Sequence, residues 1–222
     1  MSCGLALALP ALASADIVEI GKLDAQVKSS CPGPVPKCFA VARLTGYQAK
    51  VGTDRGLMTV PKDGSIVAFS VALGKPGPKQ QLFFTGGDGA PANSPQYGVP
   101  EVQITILDPK RKLRSRAVAQ SEAFKVASYF GSTVQFALAK SIAVKKGQIV
   151  AITSKTWAPI LAVGLGSDTS WRASREKGTC NDSVQQVAQT QPNQLAQYYC
   201  LYRTARLNYS ATMITAPVKP KS

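Results

Sequence analysis

Histidine is missing altogether from the 222 residues. That excludes a Ser-His-Asp or Cys-His relay, an HExxH metal site and imidazole acid–base work at neutral pH. Acids are scarce too: 12 Asp and Glu stand against 26 Lys and Arg, a net charge of +14. A chain this basic associates with polyanions at low salt. Outside a cell those are wall polymers, acidic polysaccharides, lipid head groups or released nucleic acid. The other reading of the charge is solubility alone. No CxxC pair occurs, so the cysteines do not spell a zinc site. Nor does any apolar run reach the ~20 residues of a membrane-spanning helix.

What is present begins with MSCGLALALPALASAD. Leu5 to Leu12 form a short apolar run, and Ala13-Ser14-Ala15 gives the small-x-small pattern of a signal-peptidase site. Residues 1–15 are therefore expected to be a signal peptide, one without the Lys or Arg that usually precedes the run. Their removal leaves Cys31, Cys38, Cys180 and Cys200. An even count in an exported chain reads as disulfides, with three connectivities open. The local pairing, Cys31–Cys38 and Cys180–Cys200, is the economical one. The second bridge would close a glutamine-rich loop and stabilise the fold by roughly 2–4 kcal/mol.

Strand signals then recur: IVEI (17–20), FAVARL (39–44), SIVAFSVAL (65–73), QQLFFT (80–85), EVQITIL (101–107), TVQFALA (133–139), QIVAIT (148–153), ILAVGL (160–165), YYCLYR (198–203) and ARLNYSATMI (205–214). They are β-branched or aromatic, and in VQITI and QFALA every second residue is apolar, as for a sheet with one buried face. Turns such as PKDGS, LGKPGPKQ, GGDGAPANSP and VKKGQ separate them. Only SVQQVAQTQPNQLAQ (183–197) looks helical. The expectation is an all-β antiparallel β-sandwich or jelly roll of about ten strands, with one short helical segment near 183–197. Residues 16–215 read as a single domain and 216–222 as a flexible tail.

Two segments, LMTVPKDGSIVAFSVAL (57–73) and SIAVKKGQIVAITSKTWAPILAVG (141–164), resemble poorly characterised exported bacterial jelly-roll proteins. In those a P-x-D-G-x-I turn opens the core and an I-x-V-x-K-G-x-x-V-A-I hairpin comes late. The resemblance covers about half the chain. It implies a fold and an extracellular setting, and carries over no active-site residue.

Candidate chemistry is sparse. SREK (174–177) matches the S-x-x-K of Ser-Lys catalysts, but its polar, Gly-terminated setting is unlike the buried helix start such a pair needs. Single turn acids (Asp54, Asp63, Asp88, Glu101, Asp168, Asp182) leave a carboxylate-only glycosidase open in principle. GGDGAPANSP offers calcium one carboxylate and one amide, too few ligands, so neither metal nor cofactor is expected. DPKRKLRSR concentrates Lys110, Arg111, Lys112, Arg114 and Arg116 at a hairpin after EVQITIL. That is either an anion-binding patch or a solvated hairpin whose cations guard a sheet edge. No aromatic interleaves with it, which disfavours a single-stranded nucleic-acid platform. Trp171, with Arg172 and Arg175 nearby, is either a core plug beneath Cys180–Cys200 or a ligand platform. The core plug is preferred, because burial of so large a ring dominates packing. In that case Arg172 points to solvent on the opposite face.

These residues add up to an exported, non-catalytic binding or envelope-associated module. Its expected partner is an acidic or sugar-rich extracellular polymer. A self-associating surface protein is the second reading and a carboxylate-dependent hydrolase the third.

Overall fold

The computed structural model describes residues 15–24, 26–31, 38–181 and 188–217. In chain order its strands are β1 (Ile17–Ile20), β2 (Val41–Val51), β3 (Asp54–Arg55), β4 (Gly64–Ala72), β5 (Glu101–Pro109), β6 (Arg114–Gln120), β7 (Phe124–Lys125) and β8 (Thr133–Val144). Then come β9 (Ile149–Ala158), β10 (Leu161–Val163), β11 (Ser170–Ala173), β12 (Leu195–Gln197), β13 (Leu201–Arg203), β14 (Ala205–Leu207) and β15 (Tyr209–Thr215). Among the described residues one α-helix, α1 (Pro78–Thr85), and a 3-10 turn at Ala127–Tyr129 interrupt them. The fold is the all-β antiparallel sandwich that the strand signals imply.

A small sheet runs β1-β15-β4-β8 and a large one runs β12-β6-β5-β9-β2-β11-β13, with β3 and β7 flanking; β10 and β14 form a separate pair. The alternating apolar residues explain why two layers form. Ile104 lies opposite Ile152 and Ile106 opposite Val150 in the large sheet. These four meet Ile66, Phe69 and Val71 of β4 and Met213 of β15 in one core. Each large aliphatic side chain taken from water contributes roughly 1.5–3 kcal/mol. The start of the expected mature chain is tied in: Asp16 N–H donates to Thr215 Oγ1, and Thr215 N–H to Asp16 O. Ala216 N–H still donates to Asp63 O, one residue into the expected tail. The expected signal segment and the tail lie outside the described residues at 1–14 and 218–222.

Both disulfides pair locally, Cys31 with Cys38 and Cys180 with Cys200. No helix among the described residues is long and apolar enough to cross a membrane.

Three expectations need correction. QQLFFT is helical, not a strand. Pro78 sits in the first turn, Gln80 Oε1 accepts the Gly77 N–H at 2.7 Å, and Gly86 closes the helix at φ 83° with its N–H on Leu82 O. A Pro at the start and a Gln three residues past Gly77 are helix-start signals that outweigh the β-propensity of LFF. The helix expected near 183–197 is not found where that stretch is described: 188–194 is irregular and 195–197 is β12, while 183–187 lies outside the described residues. Finally, the VKKGQ turn does not join neighbours. β8 pairs with β4 in the small sheet and β9 with β2 and β5 in the large one, so the turn carries the chain between layers. There it meets the other motif of the resemblance: Gly147 N–H donates to Val60 O, and Lys146 N–H to Asp63 Oδ1.

Candidate ligand-binding cleft

Pairing of β11 with β2 sets the faces of the 167–182 stretch. Trp171 lies opposite Gln48 and Arg172 opposite Tyr47, so Trp171 and Ala173 point into the core and Arg172 points away. Trp171 is 5% exposed, and its ring stacks on Tyr202 with centroids 4.7 Å apart. Tyr202 in turn donates its hydroxyl to Cys180 O, which links the indole to the second disulfide. Gly46 makes room for this ring. A Cβ there would stand 3.1 Å from the indole and 2.8 Å from Leu207. The core-plug expectation fits this burial, but among the described residues the indole N–H of Trp171 has no hydrogen-bond partner. The fully buried Trp157 does make that kind of bond, to Gly98 O at 2.9 Å.

Arg172 does not simply face solvent. Its guanidinium donates to Tyr198 O at 2.9 Å and Tyr199 O at 3.0 Å. The cause is a cover the strand pattern does not announce: residues 188–200, tied down by Cys180–Cys200, return across the outer face of the large sheet. Beneath them Thr45, Thr105 and Thr153 are fully buried, and the Thr153 hydroxyl meets both other hydroxyls at 2.7 Å. Gln189 N–H donates to Thr45 Oγ1 at 3.0 Å, and Tyr198 bonds Gln189 through its hydroxyl. Burial raises the Tyr198 phenol well above its ordinary pKa. Tyr47, beside it, is also raised by burial, an effect the Arg172 charge opposes.

On the inner side a cleft of about 660 Å³ opens beside Trp171. Its lining comes from residues 38–42 and 44 at the entry to β2, the end of α1, the 93–97 loop, β10 and the 202–205 segment. Aromatic rings dominate: Trp171, Tyr202, Tyr97, Phe39, Phe83 and Phe84. Arg175 and Arg203 supply positive charge, and the described lining holds no Asp or Glu. Arg43, held at φ 48°, places its guanidinium 4.9 Å from the Tyr97 ring centre, and Arg175 sits 5.7 Å from that of Tyr202. Arg175 is buried and donates to Asn181 O at 2.7 Å, whereas Arg203 is exposed. Of the three expected platform residues, Trp171 and Arg175 line the cleft and Arg172 does not. Spacing does not reveal Tyr97, Tyr202 and Arg203, because two segments distant in sequence bring them to Trp171.

The cationic hairpin is a separate feature. Lys110, Arg111, Lys112 and Arg114 are exposed around the β5–β6 turn. Lys110 pairs with Asp108 at 2.6 Å, and Arg116 donates to Asn193 O at 2.9 Å. β6 is not an edge, since β12 pairs with it along 114–116. Edge protection is therefore not what these cations do. Gln197 connects the hairpin to the platform stretch, its side chain accepting from Lys177 N–H and donating to Lys112 O.

The remaining candidates are dispersed. Ser174 Oγ accepts the Thr45 N–H, while Lys177 is exposed. Asp54 pairs with Lys22 at 2.5 Å, and the bond and charge of Lys22 hold its carboxyl below the usual range. Asp182 lies outside the described residues. Among the described residues no three His, Cys, Asp or Glu side chains gather as metal ligands. Comparison with family models, with curated proteins and with solved structures gave no match.

Proposed function

We propose that this protein is an exported, non-catalytic binding module whose cleft takes an acidic sugar unit of an extracellular polymer. One observation carries the reading: an aromatic-walled cleft of about 660 Å³ with arginines at its wall and no carboxylate in its described lining. Pockets of ~300–1,000 Å³ with apolar walls and a few placed polar groups are the usual form of small-ligand sites. Aromatic rings offer flat surfaces to the C–H faces of a sugar ring, and a guanidinium fork matches a carboxylate. Export is supported by the two disulfides and by the signal-like start of the sequence.

Calorimetric titration with uronic-acid oligosaccharides and their neutral counterparts tests this. Binding should favour the acidic series. Arg203→Gln and Tyr97→Ala should each weaken it roughly tenfold, a typical loss for a charged or aromatic contact at a binding site. Equal affinity for both series, or unchanged binding by both variants, overturns the reading.

A second reading, self-association, draws on β8. This strand has 12 residues at the end of the small sheet, and its outer edge has no strand partner among the described residues. Unpaired edges are templates for another chain. Sedimentation velocity across a concentration series decides it, since a species that stays monomeric excludes it.

A further inference from the structure

The β5–β6 turn takes a backbone conformation that its residue types disfavour. Lys112 and Leu113 both adopt positive φ, 59° and 58°. Glycine or asparagine takes that region at little cost, whereas a bulky L-residue is uncommon there. Leu113 is nonetheless 43% exposed at the tip, between Lys112 and Arg114. The turn is firmly built: Lys110 N–H donates to Arg114 O at 2.7 Å, and Tyr198 N–H to Leu113 O at 2.7 Å. A leucine thus stands in water on a rigid tip.

More apolar surface lies behind it. On β6 Arg114 and Val118 are exposed and Arg116 is half-buried, and Leu195 of β12 lies opposite Arg116. Val118 is 36% and Leu195 44% exposed. The one carboxylate at the hairpin, Asp108, is paired with Lys110. Arg111, Lys112 and Arg114 form no ion pair among the described residues. The patch therefore combines free cations with outward leucine and valine.

From this we propose that the β5–β6 hairpin is a membrane-contact element for bilayers rich in anionic lipid, with Leu113 entering the acyl boundary and the flanking cations holding phosphate head groups. The charge complements an anionic surface, and each Lys or Arg near it adds to the attraction. An acidic polysaccharide would satisfy the cations equally well but offers nothing to a leucine. The exposed apolar tip is what favours the lipid. A single short anchor gives weak, reversible attachment, so both signals are needed together. The proposal does not depend on the cleft.

Flotation with equimolar phosphatidylcholine–phosphatidylglycerol vesicles and with pure phosphatidylcholine vesicles provides the test, with retention on a heparin column as the polymer control. The whole protein should float with the anionic vesicles only. Leu113→Asn should reduce that partitioning at least about fivefold, as expected for losing one apolar side chain from the interface, and leave heparin retention unchanged. Replacing Lys110, Arg111 and Lys112 with Gln should lower both. Leu113→Trp should show blue-shifted emission on anionic vesicles and quenching by brominated acyl chains; Trp157 and Trp171, both buried, serve as the internal fold check. If Leu113→Asn floats like the wild type, or the new indole is not quenched, the hairpin is a polyanion site and the membrane proposal falls.

Discussion

The outer faces of the two sheets start from the same kind of sequence and end differently. On the small sheet, Ser70 pairs with Gln135 and Ala68 with Ala137, and Gln135 reaches Thr212 at 3.4 Å in an exposed bond. On the large sheet, the outward Thr45, Thr105 and Thr153 are fully buried, under a segment stapled by Cys180–Cys200. Alternation reports which residues avoid the core. It does not report whether the other face is wet. A face of threonines can be buried because hydroxyls both donate and accept, so a row of them satisfies itself.

The largest effect should come from the inner face shared by both layers. Trp171→Ala removes a ring that is 5% exposed and should cost ~3–5 kcal/mol in chemical denaturation, the range for truncating a core aromatic. A loss under about 1 kcal/mol would place the ring outside the core.

Next, the cover of the large sheet should be separable from the sandwich. Replacing Cys180 and Cys200 with serine frees a loop of sequence separation 20 and should cost roughly 2–4 kcal/mol. The same change to Cys31 and Cys38, separation 7, opens a shorter loop and should cost less. If the first pair costs no more than the second, the cover does not hold the face closed.

Alkaline titration sharpens this point. Tyr198 and Tyr209 are held neutral by burial, with folded pKa values raised well above the ordinary phenol. A raised pKa means that the unfolded chain loses its protons first. The stability these groups contribute is complete below the ordinary phenol value and is lost as pH rises through the folded one. Tyrosinate absorbance should therefore appear in two phases, the later one coinciding with unfolding. Without the Cys180–Cys200 bridge Tyr198 should move into the early phase, whereas Tyr209, on the inner side, should not.

Much of the layer structure was legible, because β5 and β8 carry clean period-two patterns. The local disulfides were legible from spacing. Three things were not. The α1 segment carried strand-like side chains inside helix punctuation, and punctuation won. Strand parity sends Arg172 away from the core, as observed, but the carbonyls of Tyr198 and Tyr199, 26 and 27 residues away, occupy the solvent's place. The cleft was half legible. Trp171 and Arg175 stand close in sequence, but Tyr97 and Arg203 join them only through tertiary packing.

The smallest effects come from a matched pair of substitutions, one on each outer face. Thr153→Val keeps shape and β-propensity but deletes the hydroxyl at the centre of the buried row. Thr105 Oγ1 then loses its partner, while Thr45 Oγ1 still accepts from Gln189. An unsatisfied buried hydroxyl costs ~1–3 kcal/mol. Thr212→Val makes the same chemical change on the small sheet, where the hydroxyl donates to Glu19 at 2.9 Å in an exposed bond that water can replace. Exposed substitutions of this kind usually stay within about 0.5 kcal/mol. The difference between the two, measured by urea denaturation under one set of conditions, isolates the cover itself, since residue type, strand setting and added methyl are common to both. Removing the Cys180–Cys200 bridge as well should shrink that difference toward zero, because water would then reach Thr105. If the two substitutions cost the same in the intact protein, the outer face of the large sheet is already wet.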